Sequence, residues 1–251
     1  MQYFILLIFF LYGLVFGSFF NVVGLRVPTQ SLFTQKRSYC DTCERTLTWR
    51  ELVPVWSFAV QKGRCRGCSE SISPLYPVME LTTGLLFAFT YYLTGFNSEL
   101  VLGLLLIALI IPVTVSDIVY RRIPNRLLLF FSPFFILYRL ISPLDPFWNS
   151  LAGAGGAFLL VFLIILISKG GMGIGDLKYY TLFGFVFGLG HFLLLFFLST
   201  LYGALAGGIM MKVKKLGRKT KIPFGPYIGL AALTVFYFGD ILIQWYLNLF
   251  S

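Results

Sequence analysis

Gly156 to Tyr180 reads GAFLLVFLIILISKGGMGIGDLKYY. An uncharged, strongly apolar run gives way to a loop with three alternate glycines, Gly171, Gly173 and Gly175, and then to Asp176. The run has the composition of a bilayer-spanning helix. An acid at the mouth of such a segment is expensive, which makes it a candidate for function. The glycines allow a backbone to come close to a ligand or a second segment, and they permit positive φ. A dinucleotide-binding loop is excluded. Counted from Gly171, Asp176 stands where the last glycine of G-x-G-x-x-G belongs, and no strand pattern precedes the loop.

The rest of the chain continues in the same way. It has 251 residues, 58% hydrophobic and only 12% charged, with 28 phenylalanines and a mean hydropathy of +0.84. Spans of about 17–25 apolar residues recur. Eight segments qualify, with soft ends: 3–25, 75–93, 100–116, 127–141, 147–167, 177–189, 192–211 and 227–249. The sixth is short for a full span and is expected to tilt, extend into the glycine loop or re-enter. The first has no basic residue before it and is longer than a signal-peptide core, so it reads as a retained helix. The expected class is an all-α polytopic membrane protein of about eight transmembrane helices.

The net charge of +10 reports topology. Nineteen of the 20 lysines and arginines fall in or beside alternate connections: 26–66, 121–126, 169–178 and 212–221. The connections GFNSE, SPLDPF and LGH hold none, and only Arg139 lies near the opposite side. By the positive-inside rule the basic connections are cytoplasmic and both termini lie outside. That distribution excludes a nucleic-acid role for the basic balance. His191, the single histidine, falls in an outside connection and reads as interfacial.

One non-membrane insertion, residues 26–74, carries YCDTC and RCRGC. Cys40, Cys43, Cys65 and Cys68 form two C-x-x-C pairs, and two such knuckles supply the four thiolates of a tetrahedral zinc site. Two disulfides are disfavoured on a cytoplasmic loop, and neither pair sits in a thioredoxin-like pattern. A closed four-thiolate site is structural, stapling a segment too small for a robust core.

Of the ten acids, Glu80, Asp117 and Asp176 stand at the cytoplasmic ends of apolar segments. Asp117, in TVSDIVYRRIPN, has two readings: an interfacial acid paired with Arg121 at i+4, or half of a catalytic pair. Asp176 likewise is either a helix N-cap or the other half. The topology brings both to one depth on one side of the membrane. Two neighbouring carboxylates do not both ionise easily and share a proton. One can then draw a proton from water while the other protonates a leaving amine. Such aspartic-protease chemistry needs no metal, serine or histidine.

The ordered series GSFFNVVGLRVP, CDTC, WRELVPVWSF, CRGC, ISPLYPVMEL, DIVYRRIPN, GMGIGDLKYY and KIPFGPYIGL runs through nearly the whole chain. It resembles the type IV prepilin peptidases, bifunctional leader peptidase/N-methyltransferases within the GxGD membrane aspartic proteases. The resemblance implies that Asp117 and Asp176 are the catalytic pair. It implies a type IV prepilin or pseudopilin precursor as substrate, cut after a glycine at the inner face of the bacterial inner membrane. The cysteine tetrad goes with forms that also methylate the new N-terminus using S-adenosylmethionine. Glu80 matches the family's acid after the tetrad and is a candidate for the methylation site. Lys178 or Lys221 could meet an acid of the precursor, or anchor at the interface. Asn21 reads as an interhelical hydrogen-bonding group.

The expected organisation is a first transmembrane helix (1–25), a cytoplasmic zinc insertion (26–74) and a peptidase bundle (75–251). Two alternatives stand beside it. One is a GxGD protease of other substrates without methylation. The other is a carboxylate-coupled transporter, whose site would lie nearer the bilayer midplane.

Overall fold

The computed structural model describes residues 2–29, 38–40, 42–168, 171–214 and 223–249. Lys221 and Asp41 lie outside the described residues. The described secondary structure is helical: α1 (Gln2–Arg26), a 3-10 turn (Trp49–Glu51), α2 (Trp56–Val60), α3 (Leu75–Thr94), α4 (Ser98–Tyr120), α5 (Asn125–Ile141), α6 (Asn149–Ile167), α7 (Ile174–Lys214) and α8 (Gly225–Asn248). Five of these, α1, α4, α6, α7 and α8, are long and apolar enough to cross a membrane, counting α7 as Ile174–Lys212. Large apolar side chains such as Leu129, Ile141, Ile167 and Ile241 are exposed. Hydrocarbon, rather than water, is the solvent that suits such a surface.

The chain divides into two compact units, Met1–Val115 and Ser116–Ser251. In the first, α1 and α3 run antiparallel in close contact. A Cβ on Gly13 would meet Gly84 Cα at 2.7 Å, and one on Gly17 would meet Glu80 Cα at 2.8 Å. Asn21 Nδ2 donates to the Tyr76 carbonyl at 3.1 Å, the interhelical role expected of it. Small residues at four-residue spacing let two backbones touch where apolar transfer supplies no driving force. Phe9 stacks on Tyr91 farther along the same seam, with ring centroids 4.6 Å apart.

In the second unit α6 packs along α7, with Gly153 against Gly184. The expected segments 177–189 and 192–211 form one continuous run broken at a single residue. Gly188 has φ 76° and ψ 174°, a conformation closed to side-chain-bearing residues. The two arms fold back on each other there: Tyr180 Oη and Ser199 Oγ are 2.6 Å apart, and the Tyr180 ring lies 5.5 Å from Phe196. A break in a helix frees backbone groups that then need other partners. Arg139 Nε donates to the Val186 carbonyl at 2.7 Å, and the Leu189 amide donates to Asn149 Oδ1 at 3.0 Å. Arg139, the outlier of the charge pattern, thus satisfies a carbonyl beside the break. His191, just past it, contacts Asp240 Oδ1 through Nε2 at 3.0 Å.

Candidate active site and metal centre

Asp117 occupies the last turn of α4 and is buried, with 6% of its surface exposed. The chain turns sharply after it. Arg121 is left-handed (φ 54°), its amide bonds to the Asp117 carbonyl at 2.9 Å, and Ser116 Oγ donates to the Arg122 carbonyl at 2.7 Å. Among the described residues no ion pair joins Asp117 to Arg121. The carboxylate instead accepts the Gly225 amide at 2.7 Å, at the first residue of α8. Unsatisfied amides and the helix dipole make that end of α8 a natural partner for an anion. A Cβ on Gly225 would lie 2.9 Å from Asp117 Oδ2, so glycine is what admits the carboxylate.

Asp176 sits in the first turn of α7 but is not its N-cap. The helix begins at Ile174, and Asp176 Oδ2 reaches back to accept the Gly173 amide at 3.0 Å. The glycine loop works by close approach rather than by unusual dihedrals. Gly171, Gly173 and Gly175 are not among the residues with positive φ. A Cβ on Gly173 would stand 3.1 Å from the Asp176 carboxylate. One on Gly175 would stand 3.1 Å from the Cβ of Ile123, in the turn that follows Asp117. Gly175 therefore lets the two acid-bearing segments meet.

Tyr179, three residues beyond Asp176, is fully buried and packs on Phe183 at 4.4 Å. Its hydroxyl has no hydrogen-bond partner among the described residues. Neither Tyr179 nor Gly225 stood out in the sequence. The PFGP motif was the available signal for Gly225, and i+3 spacing from Asp176 was the signal for Tyr179. Lys178 is exposed and donates to Asn125 Oδ1 at 3.1 Å.

In the first unit, Cys40, Cys43, Cys65 and Cys68 converge, with all four sulfurs within 4.8 Å of one another. Cys40 and Cys68 Sγ are 3.7 Å apart, and Cys43 and Cys65 Sγ are 4.0 Å apart. Tetrahedral bonds of about 2.3 Å imply sulfur separations of about 3.8 Å, so the set fits a four-thiolate metal site. The two knuckles are built alike. Each is closed by an antiparallel bridge, Tyr39 with Thr46 and Arg64 with Ser71. Each places a left-handed residue, Glu44 or Ser69, directly after its second cysteine. Backbone amides of Cys68 and Gly67 hold the Cys65 thiol down to about 6, which favours the thiolate a metal needs. A charged brace supports the cluster: Arg45 pairs with the buried Glu51, which also accepts the Thr48 amide at 2.9 Å.

Glu80 is buried, and its Oε2 accepts the Val55 amide at 2.7 Å, with the Ser18 hydroxyl donating as well. It joins the insertion to the α1–α3 pair.

Comparison with known proteins gives a consistent picture. The bacterial peptidase A24 N-terminal domain matches residues 11–94, and the type IV leader peptidase family matches residues 100–208. The chain is similar to the prepilin leader peptidase/N-methyltransferase of Bacillus subtilis (strain 168), 40% identical over 242 residues, covering 96% of this chain and 98% of that one. It is also similar to the protein of that name from Aeromonas salmonicida (strain A449), 30% identical over 269 residues, covering 95% and 92%. The Legionella pneumophila protein of that name is 27% identical over 278 residues, covering 98% and 96%. No solved structure matches.

Proposed function

This chain belongs to the type IV leader peptidase family, and we propose that it cuts the leader from type IV prepilin-like precursors with Asp117 and Asp176 as its catalytic pair. The observation that carries the assignment is the convergence of two acid-bearing helix ends at Gly175 and Ile123. One carboxylate takes a proton from water as the water oxygen bonds to the scissile carbonyl carbon. The other, protonated, gives its proton to the departing amine as the C–N bond breaks. Fixed backbone donors, Gly225 for Asp117 and Gly173 for Asp176, support this by holding each carboxylate in one orientation. The position of both acids within a turn of a helix end favours peptidase over transporter chemistry.

The enzyme is a multi-pass protein of the inner membrane. We place the aspartates and the insertion on the cytoplasmic side and the N-terminus outside, supported by the alternation of basic connections. The insertion (26–74) is read as a zinc-stapled element between the first helix (1–25) and the bundle (75–251). Zinc is the metal that best suits four thiolates with no open position.

We propose that the second activity is methylation of the new N-terminus, with S-adenosylmethionine supplying the methyl group. That donor is a sulfonium cation, and the N-terminal ammonium must give up a proton before its nitrogen bonds to the methyl carbon as the S–C bond breaks. Glu80, a buried acid near the start of α3, offers a carboxylate to hold that cation or take that proton. The assignment is tested with a purified precursor. Asp117→Asn and Asp176→Asn are near-isosteric but do not hold the shared proton, so each should abolish cleavage while membrane insertion stays normal. A variant keeping more than about a tenth of wild-type turnover would remove that residue from the pair.

A further inference from the structure

We propose that the stretch Trp49–Val60 of the insertion is a membrane-interfacial wedge, seated in the lipid surface beside the α1–α3 helix pair.

Four observations within the first unit carry this. The first is register. Gly17 of α1 is level with Glu80 of α3, and Gly17 stands nine residues before the end of α1 at Arg26. At 1.5 Å per residue that is about 13 Å inside the end of a helix long and apolar enough to span. The Glu80 side chain leans back toward the start of α3, which shortens that depth by several ångströms without removing it.

The second is the tether. The Val55 amide donates to Glu80 Oε2 at 2.7 Å, and the Ser18 hydroxyl donates to the same carboxylate. Val55 is a β-branched residue at φ 61° and ψ −49°, a backbone that such residues rarely adopt. A strained residue persists where its surroundings fix it. Here the fixing bond draws the 52–56 segment down beside the helix pair, to the depth of the headgroup boundary.

The third is the surface that the segment presents. Trp49 is 72% exposed and Trp56 68%, with Leu52, Val53 and Val60 also exposed. Trp49 lies in the 3-10 turn, Trp56 opens α2, and Leu52 and Val53 lie in the non-helical link between them. Two tryptophans and three aliphatic residues facing water would be a costly patch. At a membrane interface, tryptophan is the residue of choice.

The fourth is charge. Arg50, Lys62, Arg64 and Arg66 are exposed in the same insertion, and Arg50 lies over the Trp49 ring at 5.3 Å. Exposed basic residues beside exposed tryptophans suit anionic headgroups over acyl chains. Lipid is favoured over a protein partner because the segment is tied through Glu80 to Ser18 of α1, a helix long and apolar enough to span, whether or not a substrate is present.

The test uses the full-length protein in vesicles of phosphatidylethanolamine and phosphatidylglycerol. Trp148→Phe and Trp245→Phe leave Trp49 and Trp56 as the only tryptophans, so the patch itself is not altered. Lipids brominated near the headgroup end of the acyl chain should quench emission at least twofold, while aqueous iodide should quench weakly. Emission at the wavelength of water-exposed tryptophan, quenched by iodide and not by bromolipid, overturns the proposal. So does emission that becomes shielded only after a prepilin is added, because the patch would then be a docking site for substrate. Glu80→Gln, which weakens the tether, should reduce the bromolipid quenching. Unchanged quenching in that variant would overturn the part of the proposal that rests on Val55.

Discussion

Oδ2 of Asp117 accepts a hydrogen bond from the Gly225 amide at 2.7 Å, across 108 residues of sequence, so that the start of α8 aims the first aspartate of the proposed pair. The relation depends on a missing side chain. Gly225→Ala would put a Cβ 2.9 Å from that oxygen and push the carboxylate aside. Displacements of this size at a reacting group cost about tenfold to hundredfold in rate. Cleavage by Gly225→Ala should fall by that factor, with helical content and membrane insertion unchanged. Gly155→Ala, where a Cβ meets nothing within 4 Å, should cleave normally. Equal turnover in the two variants would show that α8 does not position Asp117.

Much of the helical architecture was legible in the sequence, because hydrocarbon solvent imposes long apolar segments that survive without any knowledge of packing. The helix limits Leu75–Thr94 and Asn125–Ile141 fall close to the expected segments. The cysteine tetrad was equally legible, since metal geometry dictates ligand spacing. The two arms of α7 and a connection between them at 189–191 were expected. That the break falls on the single residue Gly188, with Arg139 and Asn149 as partners of the freed groups, was not, because those partners come from other helices. Asp176 was expected as a possible N-cap and lies two residues inside its helix. Gly173, which has no side chain, supplies the amide that its carboxylate binds. The Gly225 partner of Asp117 was hidden for a related reason. A backbone donor leaves no residue-type signature, only the requirement that no Cβ stand in the way.

The metal site predicts a stoichiometry. Purified protein should carry one zinc per chain, as a closed four-thiolate site requires. Cys40→Ser and Cys65→Ser should each lose it, and elemental analysis of the purified variants reads the result directly. Two disulfides and no metal in the wild type would overturn both zinc and the cytoplasmic placement of the insertion.

Glu51 gives the insertion a defined acid dependence. The Arg45 guanidinium, followed by the Thr48 amide, holds its carboxyl down from the ordinary 4.5 to about 2. A depressed carboxyl stabilises the fold above its unfolded pKa and loses that contribution as pH falls through the folded one. The protection of residues 42–74 in hydrogen exchange, relative to Glu51→Gln, should therefore be constant from pH 7 to about 5. It should shrink only below 4.5, on the way to about 2. A difference that already fades between pH 7 and 5 would mean that Glu51 is not the group responsible.

Separability of the two activities follows from where their groups lie. The proposed peptidase pair, Asp117 and Asp176, belongs to the unit Ser116–Ser251, while the cysteines and Glu80 belong to Met1–Val115. A closed thiolate site takes no part in activating water, so loss of paired cysteines should impair methylation of the new N-terminus more than leader cleavage. Some effect on cleavage is expected, because the insertion joins α1 to α3 and its collapse strains both. The aspartate variants should show the opposite pattern. They stop cleavage, and they stop methylation only by withholding the free amine. A pilin supplied already cleaved should thus gain a methyl group from S-adenosylmethionine in the presence of Asp176→Asn, and mass spectrometry of that pilin detects the added mass. If the correctly folded Asp176→Asn protein leaves the pilin unmethylated, the amine and the scissile bond share one site, and the carboxylate of Asp176 serves both reactions.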